Sequence, residues 1–394
     1  MHLDKYQTRY DVAIIGGGVV GSSVAYFVKE LSPDARVCVV EPDPTYEFAS
    51  TLRASGGCRV QFSCPENIDM SMFSIRFIRD FASRMSLPER PAEVGWVEGG
   101  YLFIVPPGHM PLLEANVELQ LARGCEVELL TTSELQKHFP SMNVDDLGGG
   151  AYTPRDGWCD PNGLLWGFRK KAQSLGVAYI KDRVVEADVT PSHVRSLLVE
   201  GGTRVAASHV VNAAGAWAGE IASLMGMALP ISPLRRFEHY FTAGSPIERL
   251  PYVKDLARLA FRSEGAGFSG GLVDGDAKRG FNFEVDHDYF ERMVWPAVAH
   301  RFPPFEAARC HRTWSGLYEQ CELDGNPVIG RWNSRLKNLY TVAGFSGHGM
   351  MHAPAAGRAI AELIAYGKYS TIDLTRLGYE RVEANAPYQE AGIL

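Results

Sequence analysis

In the 394-residue chain no basic run longer than the three residues Arg169–Lys171 stands out, and its 39 lysines and arginines are outnumbered by 46 aspartates and glutamates, a formal net charge of −7. Such a balance offers nothing to compete with counterions on a phosphate backbone, so nucleic acid is not an expected partner. No stretch approaches the roughly 18 consecutive apolar residues of a membrane-spanning helix. The N-terminal MHLDKYQTRYD mixes two acids with two bases, and the apolar run that follows, Val12 to Ile15, is too short for a secretion signal. The cysteines, at 38, 58, 64, 125, 159, 310 and 321, form neither a C-x-x-C pair nor a histidine-interleaved spacing. That argues against a disulfide framework and a structural zinc site, and the expectation is a soluble cytoplasmic protein with no metal. Internal repeats, low-complexity tracts and long linkers are also missing.

What the chain does have is two glycine-rich loops far apart in sequence. In the first, DVAIIGGGVVGSSVAYFVKEL, a β-branched run breaks into Gly16, Gly18 and Gly21 at G-x-G-x-x-G spacing and continues as a helical pattern. A second β-rich run, Arg36 to Val40, ends at Glu41. This is the arrangement a dinucleotide needs. Gly16 permits the tight turn, Gly18 admits a pyrophosphate to the helix N-terminus, and Gly21 lets helix and strand pack closely, while Glu41 accepts from ribose hydroxyls. A carboxylate at that place repels a 2′-phosphate, which disfavours NADP; the fingerprint leaves FAD and NAD open.

The second loop lies in LYTVAGFSGHGMMHAPAAGRAIAELIAYG (339–367), which again reads strand, glycine loop, helix. Ala355, Ala356, Ala359, Ile360, Leu363 and Ile364 mark its buried face, and Pro354 suits a first turn. The segment HVVNAAGAWAGEI (209–221) has small residues where backbone passes close to a planar ligand or another strand. Between these pieces the texture turns aromatic and β-rich, and 286–302 looks helical with Pro296 ending or kinking it. The expected class is α/β: a Rossmann-type nucleotide domain (1–90, 150–228 and 319–394) with an inserted α+β substrate domain on a large antiparallel sheet (91–149 and 229–318).

On IIGGGVVG with Glu41, VNAAGAWA and GFSGHGMMHAPAAGRAIAELI, the chain resembles the FAD-dependent D-amino-acid oxidase, glycine oxidase and sarcosine oxidase superfamily. ASTLRASGGCRVQFSCPENIDMSMFS, GYLFI, DGWCDPNGLLWGFRKKAQSLGV, TWSGLYE and TIDL resemble the branch of the mitochondrial FAD-dependent oxidoreductase domain protein and its bacterial relatives. The resemblance implies an enzyme that binds FAD and oxidises the C–N bond of a small amino acid or N-alkyl amino acid to an imine. Related branches imply two alternatives: a hydroxy-acid dehydrogenase, or an assembly or scaffold factor with little turnover. It places Ser50 and Thr51 near the pyrophosphate, Val184 on the strand touching adenine, and Ala213, Ala214, Gly215 and Trp217 along the flavin. Gly344, Gly347, His348, Gly349 and Met350 fall on the loop beside the isoalloxazine ring, where the helix N-terminus stabilises negative charge. Gly316 occupies the aligned position of the cysteine that tethers flavin in monomeric sarcosine oxidases, so FAD is expected to be noncovalent. The stretch aligned with their oxygen-activating lysine, GAGFSGGLV (265–273), has none, which leaves oxygen, a quinone or another flavoprotein as electron acceptor.

An amino-acid substrate presents a carboxylate, which calls for an arginine fork or a tyrosine hydroxyl. Arg59, Arg235, Arg236, Arg262, Tyr252 and Tyr318 are the candidates, with Arg59 and Tyr318 favoured by their place in the aligned segments. Arg235 and Arg236 read equally as a solvated strand or turn. In RRFEHYF, strand alternation puts Phe237, His239 and Phe241 on one face and Tyr240 on the other, so His239 is a further candidate. Met351 replaces the substrate lysine of the family. His348 is expected to contact the flavin or fix its loop.

Overall fold

The computed structural model describes residues 7–392 apart from 276 and 278; the first six residues of the leading stretch read above lie outside the described residues. Two eight-stranded sheets organise the chain. The first takes the order Val328–Arg331, Leu339–Ala343, Arg204–Asn212, Gln7–Ile15, Val37–Val40, Ala178–Ile180, with Val194–Val199 and Val184–Val189 added beside Arg204–Asn212. Its central strands pair in parallel. Most buried residues of those strands are apolar and many are β-branched, as in a sheet covered on both faces.

The first helix, Val19–Leu31, and the late helix, Gly349–Tyr366, pack on this sheet and on each other. Small residues allow the contact: a Cβ on Gly357 would run into Ser23, and one on Gly21 into the carbonyl oxygen of Gly16. Pro354 is not in the first turn. It lies inside the late helix, which starts at Gly349 and so runs for five residues before the proline is reached.

The second sheet takes the order Arg309–Cys321, Ile231–Thr242, Gly267–Leu272, Leu259–Glu264, Tyr252–Asp255, Tyr101–Val105, Gly149–Thr153, Glu128–Thr131. It is antiparallel except where Tyr252–Asp255 runs parallel to Tyr101–Val105. One face carries an aromatic core that includes Phe241, Phe261, Phe268, Phe290, Phe302 and Phe305, all buried. The expected helix over 286–302 forms as a π-turn, Phe290–Val294, followed by Trp295–Arg301. Pro296 opens the second segment rather than ending the helix, since a first turn has no use for its missing N–H. No helix of the described residues is long and apolar enough to cross a membrane.

Candidate functional site

A cavity of about 1330 Å³ is lined by residues of both sheets and by both glycine loops. At the nucleotide end Gly16 turns the chain with φ +96°, and a Cβ there would lie 2.5 Å from the carbonyl oxygen of Ala213. Gly16 and Gly18 line the cavity, whereas Gly21 is spent on helix–strand packing. Glu41 Oε2 accepts the Gly17 N–H at 2.7 Å and Oε1 accepts that of Asp43 at 2.9 Å. A carboxylate has lone pairs left for ribose hydroxyls after these two bonds. Burial raises the Glu41 pKa, opposed by the two backbone donors. Val184, Ser50 and Thr51 also line the cavity. Ser50 Oγ donates to the Leu317 carbonyl at 2.6 Å, and Thr51 Oγ1 accepts from Val19 N at 3.4 Å.

Ala213, Ala214, Gly215 and Trp217 line the middle of the cavity, with the Trp217 ring stacked on Phe281 at 5.0 Å. Gly347, His348, Gly349 and Met350 line the cavity as well. His348 precedes the late helix without capping it through its side chain, so the N–H groups of the first turn have no side-chain acceptor. A bare helix start and two glycine turns lining one large void fit a dinucleotide bearing a planar ring. Gly344 is a correction: it does not line the cavity. Its φ of +87° turns the root of the loop, and its N–H donates to Glu319 Oε2 at 2.9 Å.

His348 and His352 face each other through their Nδ1 atoms at 3.1 Å, and His352 Nε2 meets Ser71 Oγ at 2.8 Å. Burial pushes His348 well below its ordinary pKa, reinforced by His352 and by the cations of Arg59 and Lys254. Burial, helped by Arg59, takes His352 down to about 3. Both rings are neutral at physiological pH, one Nδ1 donating and the other accepting, because protonating either would aim two N–H groups at one another.

At the far end the second sheet forms the floor. Tyr252 pairs in register with Tyr101, and Lys254 with Phe103. The two tyrosine rings stack at 4.4 Å, and Tyr252 Oη is 2.8 Å from Ser55 Oγ. The Arg59 guanidinium is 4% exposed, lies over Phe62 at 3.9 Å and over Phe103 at 5.0 Å, and donates to the Gln61 carbonyl. Burial lowers its pKa. Tyr318 and Arg236 also line the cavity, the guanidinium 5.2 Å from the tyrosine ring. Gly316, at the aligned tether position, lines it as well.

Three expected contacts are not there. His239 is fully buried beneath the sheet, bonded to Thr313 Oγ1 at 2.9 Å and packed on Tyr289 and Phe290; the aromatic layer claims its face of the strand. Arg262 donates through Nε to the Ser55 carbonyl at 2.6 Å and pairs with Glu264, which holds it in a smaller neighbouring cavity. Arg235 points to Glu284, whose carbonyl it meets at 3.1 Å.

Sequence reasoning missed Lys254, Glu238 and the tail. Lys254 is half-buried in the cavity wall, and burial next to Arg59 takes its pKa well below the lysine range. Glu238, bonded by Ser269 Oγ at 2.7 Å, is pushed up to about 7 by burial. Gln389, Glu390 and Gly392 return to line the cavity, with Glu390 bound to Asn67 Nδ2 at 2.6 Å. The signal for Lys254 was available: Tyr252 and Lys254 alternate in PYVKD, so they share a face.

A model of the FAD dependent oxidoreductase family matches residues 11–363. FAD-dependent oxidoreductase domain-containing protein 1 of Xenopus laevis is 36% identical, covering 98% of this chain and 85% of its own. L-proline dehydrogenase from P. horikoshii superimposes with a TM-score of 0.85 at 25% identity, over 97% of this chain and all of the other. Glycine oxidase from Geobacillus kaustophilus gives 0.80 at 25% identity, over 94% and 98%. With the cavity's two glycine cradles and bare helix start, these likenesses identify the cofactor as FAD, and the chain belongs to the FAD-dependent oxidoreductase family.

Proposed function

We propose that the protein oxidises the C–N bond of a small amino acid or N-alkyl amino acid to the imine, which water then hydrolyses. The observation behind this reading is Arg59, a buried guanidinium in the same cavity as the glycine loops, with no carboxylate in ion-pair distance among the described residues. A buried cation left without a partner is costly, so a substrate carboxylate is its natural complement. When bound, FAD supplies a two-electron acceptor at N5. Arg59 orients the carboxylate, and the Tyr101, Tyr252 and Phe103 rings exclude water around the aliphatic part. The amine reacts in its neutral form, and the Arg59 cation opposes an ammonium beside it, so the site favours the deprotonated nitrogen. Tyr318, packed against Gly347, borders both the loop and the substrate space. The His348 imidazole, too weakly basic to take a proton at neutral pH, holds the loop through its bond to His352.

The test is anaerobic addition of a panel of glycine, N-methylated glycines, proline and other amino acids to the yellow holoprotein. Bleaching of the flavin band by an amino acid, with the keto or aldehyde product recovered, is the expected result. Bleaching by hydroxy acids alone, or by nothing in the panel, overturns the reading.

A further inference from the structure

Arg59 is not the only unpaired cation of the substrate space. Lys254 stands on the floor strand in register with Phe103, its ammonium 5.8 Å from the ring that Arg59 approaches to 5.0 Å. Among the described residues neither cation has an acid within ion-pair distance. The acids whose fields reach them are engaged elsewhere. Glu390 accepts from Ser63 Oγ, from the Cys64 N–H at 3.1 Å and from Asn67. Asp156 accepts from Val60 N at 2.8 Å and Thr153 Oγ1 at 2.7 Å, and Asp255 from Leu259 N at 2.9 Å. Of the remaining cavity acids, Glu238 is bonded by Ser269 and Glu319 by the Gly344 N–H.

Burial beside Arg59 pushes Lys254 toward its neutral amine, and an anion bound next to it reverses that balance, so a second acid on the substrate is what would hold the ammonium charged in this wall. We propose that Lys254 is a second anion contact, and that the substrate is an amino acid or N-alkyl amino acid carrying two acidic groups. One acid takes the Arg59 fork, and the second takes the Lys254 point charge across Phe103. The difference in donors suits the division: a planar guanidinium fixes the carboxylate next to the reacting carbon, while a flexible ammonium accommodates a distal acid. This rests on the amino-acid reading above, but its test does not depend on turnover.

The flavin absorption of the holoprotein is titrated with unreactive monocarboxylates (acetate, propionate) and dicarboxylates (malonate, succinate), in wild type, Lys254→Met, Lys254→Gln and Lys254→Arg. The expected result is that the better dicarboxylate binds wild type at least about tenfold tighter than the monocarboxylates. That preference is lost in the Met and Gln variants and retained in Arg, with flavin content unchanged throughout. Equal affinities in wild type overturn the proposal, as does a preference that survives loss of the charge. Should Lys254→Met shed its flavin, Lys254→Gln, which is shorter than lysine but keeps a hydrogen-bond donor without the charge, gives the same reading. A Lys254-dependent preference combined with no bleaching by any amino acid would sink the amino-acid reading and leave the anion site standing.

Discussion

The two ends of the cavity are made of different material. The nucleotide end is backbone: Gly16, Gly18 and a helix start, with Glu41 locked in place by two main-chain donors. The substrate end is side chains, gathered from strands whose partners lie far away in sequence, as Lys254 and Phe103 do. Backbone cradles fail abruptly, because a Cβ either fits or collides. Side-chain anchors fail by degrees, because a shorter or uncharged replacement keeps part of the contact.

The largest expected effect follows from the first half of that contrast. Gly16→Ala forces an alanine into the left-handed region at φ +96° and drives its Cβ to 2.5 Å from a carbonyl oxygen. The backbone strain alone costs about 1–3 kcal/mol, and the carbonyl cannot yield without moving the Asn212–Ala214 turn. The variant is expected to purify colourless, measured as the flavin-to-protein ratio after denaturation. A full complement of flavin in Gly16→Ala would mean that this end is not the rigid cradle described.

Arg59 tests the other half. Arg59→Met removes the fork and the charge and is expected to weaken carboxylate binding by about 2–4 kcal/mol, read from flavin spectral titration. Arg59→Lys keeps the charge, loses the bidentate geometry and should fall between. The graded order wild type, Lys, Met is the signature of a side-chain anchor. If Arg59→Met binds carboxylates as well as wild type, the guanidinium serves packing against Phe62 and Phe103 and nothing more.

The same contrast explains what could be read in the sequence. Glycine positions are legible because their requirement is conformational and local: G-x-G-x-x-G states a turn, an approach and a packing contact within six residues. Gly21 and Gly344 show the limit, since both are required by the fold but neither touches the void. Arg59 was legible only through its place in an aligned segment. Lys254 was not read: alternation in PYVKD puts it on the face of Tyr252, but that this face meets Tyr101 and Phe103 depends on a parallel pairing with Tyr101–Val105 that no local pattern announces. Arg262 misled for the converse reason: its neighbours Ser55 and Glu264 satisfy it before any ligand arrives.

His239 carries the smallest effect and the sharpest check on which face of the sheet is the active one. Alternation correctly grouped it with Phe237 and Phe241, but alternation does not say which side another layer will cover. Here Tyr289, Phe290 and Phe305 cover the His239–Phe241 face, while Arg236 and Glu238 line the cavity. Burial takes the imidazole down to about 4, so it is neutral, and its Nε2 has no hydrogen-bond partner in the described structure. His239→Phe removes that unsatisfied nitrogen, a group that costs about 1–3 kcal/mol when buried alone, at the expense of the bond to Thr313. The two changes oppose each other, so stability should move little, and carboxylate affinity and flavin reduction should stay within about twofold of wild type. A loss of tenfold or more in either, with the melting temperature unchanged, would put this imidazole in contact with the substrate space and turn the sheet over.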